Sequence, residues 1–178
     1  MSELLLALRN LCLLRIGPQD LPCSQGLLGT VLGLNLVLDT ATGWLLGEPA
    51  TALGTSLVSL VVVVGGIWLL LKMRDLQARF VQSALAVASA GLLFSVLAIP
   101  IQMAMAPLPA ELDLLTDGQT LGMMLLAGLG GWSLAVMGHV LRHALERTFL
   151  TGLLLALALN LSAAALMQML LPAGSGGA

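Results

Sequence analysis

Asp39 is the carboxylate of this chain set deepest in a long apolar stretch, and several polar side chains are spaced to join it. Asn35 precedes it by four residues and Thr42 follows by three, which puts the trio on one face of a helix. Counted from Leu27, Asp39 lies about 18 Å along that helix. Asn160, in the last apolar stretch, lies about 17 Å from the corresponding, N-terminal end of its own helix, which is on the same side of the bundle, so the two are expected at one depth. An ionisable group at that depth is expensive and faces the interior of a bundle. Two roles fit it. One is a proton or solute relay centred on Asp39, and the other is an interhelical hydrogen bond that fixes helix register. The chain places a single carboxylate there, where a pump shows several, which weighs towards the structural role.

His139, His143 and Glu146 form a second group, at helical positions i, i+4 and i+7. Two histidines at this spacing can share a metal ion with a carboxylate as third ligand. A metalloprotease helix would carry Glu directly after the first His, and here that position is Val140. Arg142 and Arg147 also repel a cation, so an amphipathic helix end among lipid headgroups competes with the metal reading. The two histidines share one helix and cannot clamp a haem from opposite sides. Neither a nucleophile–base pair nor a phosphate-cradling glycine loop stands out, so no enzymatic activity and no cofactor are expected.

The elements that hold these groups follow from composition. The 178 residues are 58% hydrophobic and 9% charged, with a mean hydropathy of +1.03. Soluble domains carry about 25% charged residues, so this chain could not cover itself with a hydrated surface. Its seven basic residues provide no electrostatic footprint for nucleic acid. The patterning predicts an all-α polytopic membrane bundle, a single integral membrane domain over residues 1–178. Five spans are expected near 27–47, 51–71, 81–106, 119–141 and 149–171, each long enough for a hydrocarbon core of about 30 Å. Such runs far exceed the strands of a membrane barrel.

Ahead of the spans, residues 3–16 read as a short helix, with Glu3, Arg9, Asn10 and Arg15 as its polar content, that lies at the interface or packs under the bundle. A frayed lead-in is the alternative. Gly17-Pro18 breaks it, and Ser24 is placed to cap the first span. The segment opens on Glu3 rather than a basic run, so a cleaved signal peptide is not expected. Glu48-Pro49 ends the first span. Pro100 either kinks the third span by freeing the carbonyl of Val96 or stops it near Ile99, and the kink is favoured. The outer loop from Pro107 to Gly118 is acidic, with Glu111, Asp113 and Asp117. The inner connections near 72–79 and 142–148 hold neither Gly nor Pro, so their helices are expected to run past the membrane before a short turn. Gly29 with Gly33, Gly43 with Gly47, and Gly118 with Gly122 allow close helix approach. Gly128, Gly130, Gly131 and Gly138 make the fourth span thin, which suits a central place or a partner.

All Lys and Arg residues fall before the first span, between the second and third, or between the fourth and fifth. That bias orients the chain with its N-terminus in the cytoplasm and its C-terminus outside. Cys12 and Cys23 then face a reducing compartment, where a structural disulfide is not expected. Six Arg against one Lys suggest a GC-rich bacterial genome, hence a bacterial inner membrane.

Three local stretches carry a resemblance: Arg15-Ile16-Gly17-Pro18-Gln19-Asp20-Leu21-Pro22, Arg79 to Ala84, and Leu141-Arg142-His143-Ala144-Leu145-Glu146. With five spans and short exterior loops, the chain resembles the Yip family, the Rab-interacting-protein-like membrane proteins, in a bacterial branch. The resemblance implies the fold and a scaffold, adaptor or accessory-subunit role with membrane lipids and a membrane-protein partner or a second copy. The other class open to the sequence is a small transporter or lipid-handling protein built around Asn35, Asp39, Thr42 and Asn160.

Overall fold

The computed structural model describes residues 2–106 and 115–170, and among these the regular structure is entirely helical. The helices are α1 (Ser2–Cys12), α2 (Gln25–Leu45), α3 (Pro49–Lys72), α4 (Phe80–Met105), α5 (Asp117–Leu145) and α6 (Phe149–Leu170). The five from α2 to α6 are long and apolar enough to cross a membrane. The protein is therefore a multi-pass helical membrane bundle. Large apolar side chains such as Val37, Val61, Leu154 and Leu161 point outwards, each more than half exposed, as lipid contact requires.

Local chemistry sets the helix ends. Ser24 caps α2 by accepting from the Leu27 N–H at 3.2 Å, as expected. Gly47 then turns the chain at φ 90°, a conformation that favours glycine, and Pro49 opens α3. α5 starts at Asp117, ahead of its expected start, because Thr116 and Gln119 form a capping box. Helix α4 continues through Pro100 to Met105, so the reading in which it stops near Ile99 does not hold. The loop carboxylates Glu111 and Asp113, and the tail from Leu171, lie outside the described residues.

Three helix ends close without glycine. Leu14, Asp75 and Glu146 take left-handed backbone angles, and the N–H after each bonds back to Asn10, Leu71 and Arg142 respectively. Each closure ends its helix promptly. Hence α1 stops at Cys12, short of the expected Ile16, and α3 stops at Lys72 rather than running on. α5 does run beyond the expected 141, to Leu145.

The spanning helices form a closed ring in the order α2, α3, α6, α5, α4 and back to α2, with sparse contact across it. The closest approach is between α5 and α6. A Cβ on Gly152 would meet the Gly138 carbonyl and the Arg142 amide, so the two backbones touch there. Gly43 also packs closely on Ala52, and Gly122 takes the Met105 side chain against it. Gly29, Gly33, Gly128, Gly130 and Gly131 have open space beside them instead.

The short N-terminal helix packs against the outside of α4 and α5. Leu11 is fully buried, and Cys12 joins Ala90, Phe94 and Val136 in one apolar cluster. The Trp132 indole donates to the Cys12 carbonyl at 2.9 Å, about 20 Å from the C-terminal end of α5. The last turn of α1 thus sits well within the length of the spanning helices. The chain then returns towards their end, where the Gln82 amide donates to the Leu21 carbonyl at 3.2 Å and Arg79 pairs with Glu146. Apart from Arg9 on α1, the basic residues gather at this end of the ring.

Candidate functional site

Within the ring lies a half-open cavity of about 450 Å³ to which all five spanning helices contribute. α2 supplies Asn35 and Asp39, and α6 supplies Asn160. Three of the polar residues singled out by sequence are thus brought to one space. Serines from three further helices join them: Ser59 on α3, Ser95 on α4 and Ser133 on α5, with Gln102 also from α4. The remaining lining is apolar, chiefly Val, Leu, Ala and Phe94.

Four of these polar groups are held in a definite way: Asp39, Ser95, Asn35 and Asn160. The Ser95 hydroxyl donates to Asp39 Oδ1 at 3.1 Å. Asn35 donates through one amide nitrogen to the Val31 carbonyl on its own helix, at 2.8 Å, and to the Ala88 carbonyl on α4, at 3.0 Å. The Asn35–Ala88 and Ser95–Asp39 bonds are the interhelical bonds that the register-fixing role calls for, and they join α2 to α4. Asn160 does not bond Asp39. Its amide donates to the Ala156 carbonyl at 2.8 Å and approaches the Met137 sulfur at 3.6 Å. Thr42 does not line the cavity, and its hydroxyl donates to the Leu38 carbonyl one turn back. Gln102 Oε1 is buried with no hydrogen-bond partner among the described residues.

Sequence reasoning passed over the wall that α4 presents. Ala84, Ala88, Gly91, Ser95, Ala98 and Gln102 recur every third or fourth residue and all line the cavity. The stripe is the signal that could have found it: small and polar residues in register along an otherwise bulky span. Gly91 leaves room for Asn35, whose Oδ1 lies 3.6 Å from where a Cβ would stand.

The histidine group serves another purpose than metal binding. His139 is buried, and its Nε2 lies 2.9 Å from the Ile16 carbonyl. A carbonyl only accepts, so that nitrogen carries the proton and is committed. His143 Nε2 faces the Arg142 guanidinium at 3.3 Å, and a guanidinium only donates. Glu146 is engaged by Arg79. Among the described residues no three His, Cys, Asp or Glu side chains come together to hold an ion. The i, i+4, i+7 spacing therefore positions a clasp on the N-terminal segment and an ion pair rather than a metal centre. Both cysteines are free thiols, Cys12 buried and Cys23 exposed. Burial pushes the Cys12 thiol above its usual range.

The cavity offers a largely apolar wall with one carboxyl group, and it presents polar groups from Ser, Asn and Gln side chains. Such a wall can receive a small polar molecule by hydrogen bonding. Among known proteins, no family model, no curated protein and no solved structure matches this chain.

Proposed function

We propose that the chain is a five-span protein of a bacterial cytoplasmic membrane that takes a small polar solute into the lumen around Asp39, as a transporter or lipid-handling protein does. The observation that carries this reading is the convergence of polar side chains from all five helices on one cavity. Fixing helix register needs only the α2–α4 bonds of Asn35 and Asp39. Ser59, Ser133, Asn160 and Gln102 take no part in those bonds, yet they face the same space. Polar groups at membrane depth are costly, so their collection around a cavity favours a ligand. The bias of Lys and Arg to one end supports an N-terminus in the cytoplasm and a C-terminus in the periplasm. Trp44 and Trp68, near opposite ends of the spans and both exposed, suit the two interfaces.

The test is a panel of small amines, amides and polyols added to the purified protein in lipid nanodiscs. At least one class should raise the melting temperature of the wild type and leave Asp39→Asn unmoved. If no member shifts the wild type, and vesicles with the protein pass these solutes no faster than bare lipid, the reading is wrong.

A second reading, the Yip-like scaffold or accessory subunit, is favoured by a different observation. Beside Gly26, Gly29 and Gly33 on α2, no described residue from elsewhere in the chain lies within 4 Å of where a Cβ would stand, which leaves room for a helix of a partner or of a second copy. Both readings are non-enzymatic. Gly29→Leu with Gly33→Leu should then strip copurifying membrane proteins or dissociate the oligomer, and an unchanged set of partners would count against it.

A further inference from the structure

At the basic end of the ring lies a second pocket, of about 330 Å³, between the Pro18–Gln19 segment, the first turn of α4 and the last turn of α5. Its size falls within the range of about 300–1,000 Å³ common for small-molecule sites. Arg79 and Glu146 stand on its wall as an ion pair, with side chains 42% and 64% exposed. His143 on α5, Gln82 and Ser83 on α4, and Gln19 complete its polar lining, with the Gln82 amide spent on the Leu21 carbonyl at 3.2 Å. Ser83 is fully buried, and its hydroxyl has no hydrogen-bond partner among the described residues. A buried hydroxyl without a partner is destabilising unless something bonds it.

Charge decides what that something is. A guanidinium and a carboxylate line the same pocket, and a second carboxylate, Asp20, is held next to it by the Gly17 N–H at 3.0 Å. A plain anion would be drawn to Arg79 and repelled by the two carboxylates. A group with phosphate at one end and ammonium at the other satisfies both signs. Its phosphate accepts from Arg79 and from Ser83, and its ammonium donates to Glu146. The pocket also lies at the end of the spanning helices, the level of lipid headgroups.

We propose that this pocket binds the phosphoethanolamine headgroup of one membrane lipid. The inference rests on the chain being a membrane bundle and is independent of the lumen around Asp39. Choline headgroups fit less well, because a trimethylammonium offers Glu146 no N–H.

The experiment uses the full chain, reconstituted in bilayers of phosphatidylglycerol mixed with an equal share of either phosphatidylethanolamine or phosphatidylcholine. Native mass spectrometry after mild detergent extraction counts the retained lipids. One phosphatidylethanolamine per chain should be kept about tenfold more often than phosphatidylcholine, the worth of a charge-assisted hydrogen bond. Glu146→Gln should remove this preference. Ser83→Ala should lower retention about fivefold while the delipidated protein melts no lower than wild type. That second variant adds no volume and takes away an unpaired group, so it remains informative if the ion-pair variant folds poorly. Equal retention of the two lipids overturns the proposal, as does retention unaffected by Ser83→Ala. Soluble glycerophosphoethanolamine at millimolar concentration should leave the bound lipid in place. Its displacement of the lipid would assign the pocket to a soluble phosphodiester and overturn the lipid assignment.

Discussion

The carboxyl of Asp39 takes its hydrogen bond from Ser95, and Asn35 spends its amide on the Ala88 carbonyl, so each residue both fixes a helix and faces the lumen. The two roles separate by substitution. Asn35→Ala removes an interhelical bond between α2 and α4 and should cost about 1 kcal/mol in reversible unfolding from mixed micelles. Asp39→Asn keeps an acceptor for Ser95 and should unfold within about 0.5 kcal/mol of wild type, while abolishing the solute-dependent shift in melting temperature. A loss of stability in Asp39→Asn as large as that in Asn35→Ala would make the residue structural first. Asp39, Asn35 and Asn160 were legible in the sequence because amide and carboxyl groups in apolar runs stand out. Thr42 was misplaced because its hydroxyl can satisfy itself on its own helix, which spacing does not reveal. The lumen serines were missed for the same reason: a lone Ser in a span reads as self-satisfied until its helix face is known.

At the scale of elements, hydropathy placed the five spans to within a few residues, since apolar length is a direct physical requirement of the bilayer. The ends that moved were decided by caps and left-handed residues. Leu14 and Glu146 in such conformations carry no sequence signal, because neither type favours them. The packing of α1 was also partly hidden. Its clasp depends on Trp132 and His139, which are remote in sequence and reach main-chain carbonyls of any residue type. Cys12 reports on that clasp. Buried and with its thiol pushed up, it holds less thiolate than a free thiol at a given pH. N-ethylmaleimide should therefore label Cys23 well before Cys12 near pH 7, with the Cys12 rate still climbing at more alkaline pH. Trp132→Phe loses one hydrogen bond and should speed Cys12 labelling about fivefold, leaving Cys23 unchanged. Equal labelling of both thiols in the wild type would mean that α1 is not docked. The α5–α6 crossing is less forgiving. Gly152→Ala places a methyl against backbone atoms that cannot turn aside, so it should lower stability by about 1–3 kcal/mol in the same unfolding assay.

For the whole molecule, alternating spans dictate an up-and-down bundle but not which helices become neighbours. The ring closes because α3 meets α6, a pairing between helices far apart in the chain. Gly66 is part of it, with the Leu159 side chain lying where a Cβ would stand. No periodicity in either helix announces such a partner, and without that closure there is no lumen to read. The central claim is that the lumen is a hydrated polar site rather than a packed core. Cysteine accessibility in sealed vesicles tests it most directly, with Cys12→Ala and Cys23→Ala as background. A charged, membrane-impermeant thiosulfonate should modify Ser133→Cys and Ser59→Cys from one side of the membrane, and should spare Leu161→Cys, which faces outwards and is 60% exposed. Lumen cysteines as inert as the one at position 161 would contradict the claim.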